Sequence, residues 1–151
     1  MTNLYIEASI EIDAPASSVW AVLTSPELNS QWSGLLGAKG AIDTDWHPGS
    51  PVKWRNADGD VYVNGRVLTV EPGKLLRFSA RSTNPALQPM SGLDADDITH
   101  TYALLEQAGH TTFSITHGDF SKLANGEAIL PKAKTVWDQV LPRIKELAEE
   151  K

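Results

Sequence analysis

Apolar and polar side chains alternate at the start of the chain. From Leu4 to Ile12 the apolar residues occupy every second position, and mostly polar residues fill the positions between them. A period of two residues is typical of a strand with one buried face and one solvated face. The pattern therefore predicts a half-buried β-strand over Leu4–Ile12.

Two short helices are predicted after this strand. Pro15 ends the strand and presets the backbone for the first helix. Ser25 is a suitable cap for the second helix, and Pro26 suits its first position. Leu28 and Trp32 are one turn apart in this second segment, so they share one face of the helix.

The middle of the chain changes to strands separated by turn residues. Turn signals stand at 57–59, 71–73 and 107–110, whereas 33–51 and 82–96 have the composition of irregular chain. Antiparallel pairing is expected because the turns are short. The predicted strands are Val52–Asn56, Val61–Val70, Leu75–Arg81, Ile98–Glu106 and Thr111–His117.

The last part of the chain has a helical pattern. Apolar residues recur at helical spacing from Ala133 to Leu147, which predicts the longest helix of the protein. Pro131 can occupy the first turn of this helix, whereas Pro142 falls inside it and removes one backbone donor. We therefore expect a bend near Pro142.

The composition is that of an ordinary globular protein. The chain has 151 residues, of which 41% are hydrophobic and 21% charged, and we expect a single domain over 1–151. A net charge of −6 without a cluster of Lys or Arg argues against nucleic acid and membrane surfaces as partners. The N-terminal alternation lacks the form of a secretory signal, so we expect a cytoplasmic protein. Without cysteine there is no disulfide, thiolate metal site or cysteine nucleophile.

Several short motifs resemble a known superfamily. The first set follows the N-terminal strand and comprises Val19-Trp20, Leu23-Thr24-Ser25-Pro26-Glu27 and Trp32. This opening resembles the START superfamily, also called SRPBCC, which includes the birch-pollen allergens. The segments 65–72, 116–120 and 137–142 are similar to its branch named for activators of the heat-shock protein 90 ATPase. The resemblance covers nearly the whole chain.

The resemblance implies an α+β helix-grip fold. In that fold a curved antiparallel sheet wraps around a long C-terminal helix, and two short helices after the first strand close one end of an internal cavity. Members of the superfamily bind lipids, sterols, polyketides or other hydrophobic molecules, and some are cyclases or hydrolases. The implied partner is therefore a small hydrophobic ligand, flavonoid-like molecules included. We expect a monomer or weak homodimer without a cofactor.

The turn of the last hairpin sets the register of its strands. With Ala108-Gly109 at the tip, His100 lies opposite His117. The same register pairs Tyr102 with Ile115 and Leu104 with Phe113. These six side chains share the apolar face, so the sequence predicts two imidazoles side by side on an otherwise apolar wall.

The preceding hairpin predicts a second apolar wall. A turn over 71–74 places Val67 opposite Phe78 and Thr69 opposite Leu76. The walls and the C-terminal helix are expected to enclose the ligand cavity. The residues expected to line it are Trp32, Trp54, Val67, Phe78, His100, Tyr102, Leu104, Phe113, Ile115, His117, Trp137, Val140 and Leu141. Trp137 fits a purely structural core position as well, because it lies on the apolar stripe of its helix.

The histidine pair has two interpretations. Paired neutral imidazoles are able to bind a ligand's carbonyl or hydroxyl group, or to transfer protons. Cross-strand histidines near a sheet rim are more often hydrogen-bonded structural residues. No metal site is expected, because neither His47 nor His110 has a ligand spacing that would complete one.

Three functions follow from these observations. We favour binding of a small hydrophobic molecule without catalysis. The alternative is an enzyme of the cyclase or hydrolase type that uses His100, His117 or Tyr102 as acid or base, although no nucleophile stands at a recognisable spacing from a base. Regulation of a chaperone ATPase is suggested only by the name of the family branch.

Overall fold

The computed structural model describes residues 5–33, 44–55, 61–79, 81–82, 99–118, 120 and 126–150. Its helices and strands follow the order expected from the sequence. They are β1 (Ile6–Ile12), α1 (Ala16–Thr24), α2 (Pro26–Ser33), β2 (Pro51–Arg55), β3 (Val61–Glu71), β4 (Leu75–Ser79), β5 (Arg81–Ser82), β6 (Thr99–Gln107), β7 (His110–Gly118) and α3 (Gly126–Glu149).

The strands form one antiparallel, open and curved sheet. Its order is β1-β7-β6-β4-β3-β2, and the short β5 pairs with β3. The long helix α3 packs on β1 and on α1. The predicted α+β helix-grip fold, with two short helices after the first strand, is confirmed.

The inward face of the sheet carries rows of buried side chains that run across the strands. The hairpin of β6 and β7 has the predicted register, and His100 lies opposite His117. In the same row Phe78 pairs with His100, and Ile6 pairs with His117. Leu76, Tyr102 and Ile115 form the next row, and all three are buried. Because α3 lies over these rows, its buried Trp137, Val140 and Ile144 complete the core.

One predicted strand register is wrong for part of its length. Val67 lies opposite Phe78 as expected, but Thr69 pairs with Arg77 and not with Leu76. The cause is a bulge between Val67 and Thr69, which shifts the pairing by one residue. The three-residue turn 72–74, with Gly73 at φ 77°, joins the shifted ends of the two strands.

The helix α3 begins earlier than its sequence pattern predicts. Because it starts at Gly126, Pro131 lies inside the helix and not in its first turn. The hydroxyl of Thr135 donates to the carbonyl of Pro131 at 3.0 Å. Pro142 also lies inside the helix, as predicted. The bend expected there stays a prediction.

Candidate functional site

Two histidines stack on each other at one end of the sheet. His100 is the second residue of β6, and His117 is the last but one of β7. Their ring centroids are 3.8 Å apart, and their planes differ by 29°. From β4, Phe78 stacks on His100 at 4.9 Å with an interplanar angle of 7°. Since β6 lies between β4 and β7, His100 is held between an aromatic ring and a second imidazole.

Each imidazole meets a polar neighbour at Nδ1. The indole Nε1 of Trp137, on α3, donates to Nδ1 of His117 at 3.2 Å. The hydroxyl of Tyr102, two residues along β6, lies 3.5 Å from Nδ1 of His100. The pair is therefore oriented by groups from the helix and from the sheet itself.

Burial keeps the three polar side chains uncharged near neutral pH. Desolvation, with a smaller contribution from the charge of His117, holds the pKa of His100 well below its ordinary value. Desolvation also lowers the pKa of His117 to about 3. For Tyr102 the same cause raises the pKa of the phenol above its ordinary value. The site consequently offers neutral hydrogen-bonding groups in an apolar environment.

Aromatic rings surround the histidine pair. Trp54 from β2 lies 5.5 Å from His100, and Trp137 lies 5.9 Å from it. Phe120 packs edge-on against His117 at 4.8 Å. Trp46, in the segment 44–50, packs against Phe78 at 5.6 Å. Flat apolar molecules are well matched to walls of this kind.

Six of the thirteen predicted cavity residues meet at this cluster. His117 is half-buried, and the other twelve are buried. The six are His100, His117, Tyr102, Phe78, Trp54 and Trp137, whereas the other predicted residues extend the same core along α3 and the sheet. The pair formed by Leu104 and Phe113 lies two inward rows further along the hairpin.

Two features of the structure were not predicted. Phe120 is buried, with only 3% of its surface exposed. Its position three residues after His117 is the sequence signal that points to a place beside the histidine pair. An open surface pocket of about 380 Å³ is lined by Thr44, Asp45, Pro51 and Lys53. It shares no residue with the histidine cluster, and it lies where the sequence pattern indicated only irregular chain and the start of a strand.

The described ranges offer no site for a metal ion. Within them, no three His, Cys, Asp or Glu side chains are grouped closely enough to hold one. No helix in the same part of the chain is long and apolar enough to cross a membrane.

A comparison with protein families shows to which family the chain belongs. The family described as "Activator of Hsp90 ATPase homolog 1-like protein" matches residues 13–149. The chain belongs to this family. The match confirms the resemblance stated on the sequence motifs, and it places the whole histidine cluster within the homologous region. A comparison with curated proteins gives no match.

Solved structures share the fold of this member of the Hsp90-activator-like family. Protein MLL2253 from Mesorhizobium loti is 21% identical with a TM-score of 0.75, and the alignment covers 95% of each chain. The Aha1 dimer from Colwellia psychrerythraea is 17% identical with a TM-score of 0.69, covering 97% of this chain and 96% of that one. DynU16, described as a putative protein in the dynemicin biosynthetic locus, is 19% identical with a TM-score of 0.74. This chain is covered to 98% in that alignment but spans only 48% of DynU16.

Proposed function

We propose that this protein binds a small, largely apolar molecule at the end of the sheet that carries His100 and His117, and that it does not act on the molecule chemically. The observation that carries the proposal is the stacked pair of uncharged imidazoles within an aromatic wall. An apolar wall with a few oriented polar groups is the usual design of a small-molecule site. The ligand would bury its apolar surface against the rings and place a polar group at the histidines.

The protonation states favour binding over proton transfer. A general base works best when its pKa is near the working pH. Burial lowers the pKa of His117 to about 3, and it also holds the pKa of His100 well below the ordinary value. The phenol of Tyr102 has a raised pKa, so it stays protonated and is a poor base. All three groups are therefore suited to forming hydrogen bonds while they stay uncharged near neutral pH.

The superfamily resemblance provides a starting set of ligands. Its members bind hydrophobic molecules, so fatty acids, sterols and flavonoids form the first panel for this chain. A shared fold does not by itself transfer a ligand, and the panel therefore spans several chemical classes.

Native mass spectrometry with that panel tests the proposal. We expect saturable one-to-one binding of at least one class, together with NMR shift changes at His100, His117 and Trp137. Replacing His100 with Phe preserves an aromatic ring but removes the polar group, so it should change which class binds. His47→Phe is the matched control, because His47 is exposed in the segment 44–50. Failure of all three classes to bind, with no shift change in the cluster, contradicts the proposal.

A further inference from the structure

The hydrogen bond between Trp137 and His117 determines which nitrogen of His117 carries the proton. An indole nitrogen donates a hydrogen bond and cannot accept one. Nδ1 of His117 lies 3.2 Å from that donor, so Nδ1 must accept. A neutral imidazole carries a single N–H, which leaves the proton of His117 on Nε2.

The contact between Tyr102 and His100 has no fixed direction. The phenol of Tyr102 is 1% exposed and lies 3.5 Å from Nδ1 of His100, and a hydroxyl is able to donate or to accept there. Phe78 and the two histidines are stacked, and stacking involves ring faces and not ring nitrogens.

Nε2 of His117 is the donor that this tautomer leaves for a ligand. The side chain is half-buried, and its printed polar contact within the described residues, to Trp137, is made through Nδ1. A partly buried N–H group gains free energy from an acceptor that a ligand brings. His100 stacks on this ring with a centroid distance of 3.8 Å.

We infer that the ligand presents a neutral carbonyl-type acceptor to the Nε2–H group of His117. A carbonyl oxygen accepts a hydrogen bond without carrying a charge. A carboxylate is disfavoured, because the described groups that surround the stacked histidines are uncharged. Those groups include Trp54 from β2, Phe78 from β4, Tyr102 from β6 and Trp137 from α3. Trp137 is then a positioning residue, since it sets the donor polarity of His117 without touching the ligand's oxygen.

This inference rests on the proposed function, and part of it is measurable without a ligand. Long-range proton–nitrogen NMR correlations distinguish the two neutral tautomers of each histidine. We expect the Nε2–H form for His117. The exposed His47 and His110, which lie beside carboxylates, serve as internal controls. The Nδ1–H form at His117 would overturn the assignment.

Fluorenone and fluorene test the ligand class, because they share a flat frame and differ by a carbonyl in place of a methylene. We expect fluorenone to bind about tenfold more tightly than fluorene, a factor in keeping with one additional hydrogen bond in an apolar environment. Fluorene carboxylate should bind more weakly than fluorenone. Equal binding of fluorenone and fluorene would overturn this inference while leaving the proposed function intact, whereas binding of neither compound would overturn both.

A variant of Trp137 separates positioning from stability. Trp137→Phe removes the indole donor and leaves an aromatic ring, so Nδ1 of His117 is no longer required to accept. We expect a mixture of tautomers at His117 and a smaller preference for fluorenone over fluorene. Trp20→Phe is the matched control, since Trp20 is a half-buried residue of α1. An unchanged tautomer and an unchanged preference in Trp137→Phe, in a variant that folds, would contradict the positioning role.

Discussion

Burial in the folded protein keeps His100 and His117 neutral, because it makes their protonation unfavourable. In an unfolded chain their pKa values return to about 6.5. The folded-state pKa values are lower, so below about pH 6.5 the unfolded state binds more protons than the folded state. Their contribution to stability is therefore fully present above that pH and is lost as the pH falls toward about 3, where His117 itself titrates in the folded protein.

We predict that the free energy of unfolding falls between about pH 6.5 and pH 4 by up to about 1.4 kcal/mol per pH unit for each of the two histidines. Urea unfolding at several pH values measures this slope. The double variant His100→Phe with His117→Phe should have a shallower slope than the wild type. The control His47→Phe should retain the wild-type slope. Parallel slopes in the wild type and the double variant would show that the histidines are not held neutral.

The sequence predicts that these two side chains lie together, but it does not predict their protonation state. The hairpin tip at Ala108-Gly109 determines which residues face each other, so a count along the chain was enough to pair His100 with His117. The contact with Trp137 depends on how α3 docks on the sheet, which no local pattern specifies. The desolvation that lowers both pKa values is also a product of that docking.

The turn between β3 and β4 depends on one glycine. Gly73 has φ 77°, a left-handed conformation that costs other L-residues roughly 1–2 kcal/mol. A Cβ atom added there has nothing within 4 Å, so the cost of a substitution is that of the backbone alone. We predict that Gly73→Ala lowers the free energy of unfolding by about 1 kcal/mol.

Chemical denaturation checks this value, and Gly73→Asn is the matched control. Asparagine tolerates the left-handed region better than alanine, so its loss of stability should be smaller. An alanine variant as stable as the wild type would contradict the assigned conformation. A loss of several kcal/mol would mean that the added methyl group meets a neighbour.

The hydrophobic periodicity of the sequence predicts the order of the strands and helices. It misses the two places where a single residue changes the backbone geometry. The alternating pattern in β3 is compatible with the register on either side of the bulge. The bulge between Val67 and Thr69 therefore leaves no signal in the pattern. The sequence pattern predicts a start of α3 that is too late, because it places Pro131 in the first turn. The helix instead tolerates that proline inside, five residues after Gly126.

The fold of the protein as a whole survives large changes of sequence. Structures that are 17–21% identical to this chain superpose with TM-scores of 0.69–0.75. Conservation of the fold at such distances leaves function to be argued from the side chains of each member. For this chain the histidine stack is the feature from which a function follows, and a chaperone partner is suggested by the family name alone.

The location of a bound ligand in solution decides whether the histidine stack is the binding site. Intermolecular nuclear Overhauser effects report which protein protons lie close to the protons of bound fluorenone. We predict contacts with the rings of Phe78, His100 and His117, and their loss when fluorenone is displaced by a tighter ligand of the same class. Contacts only with Thr44, Pro51 or Lys53, around the open surface pocket, would contradict binding at the histidine stack.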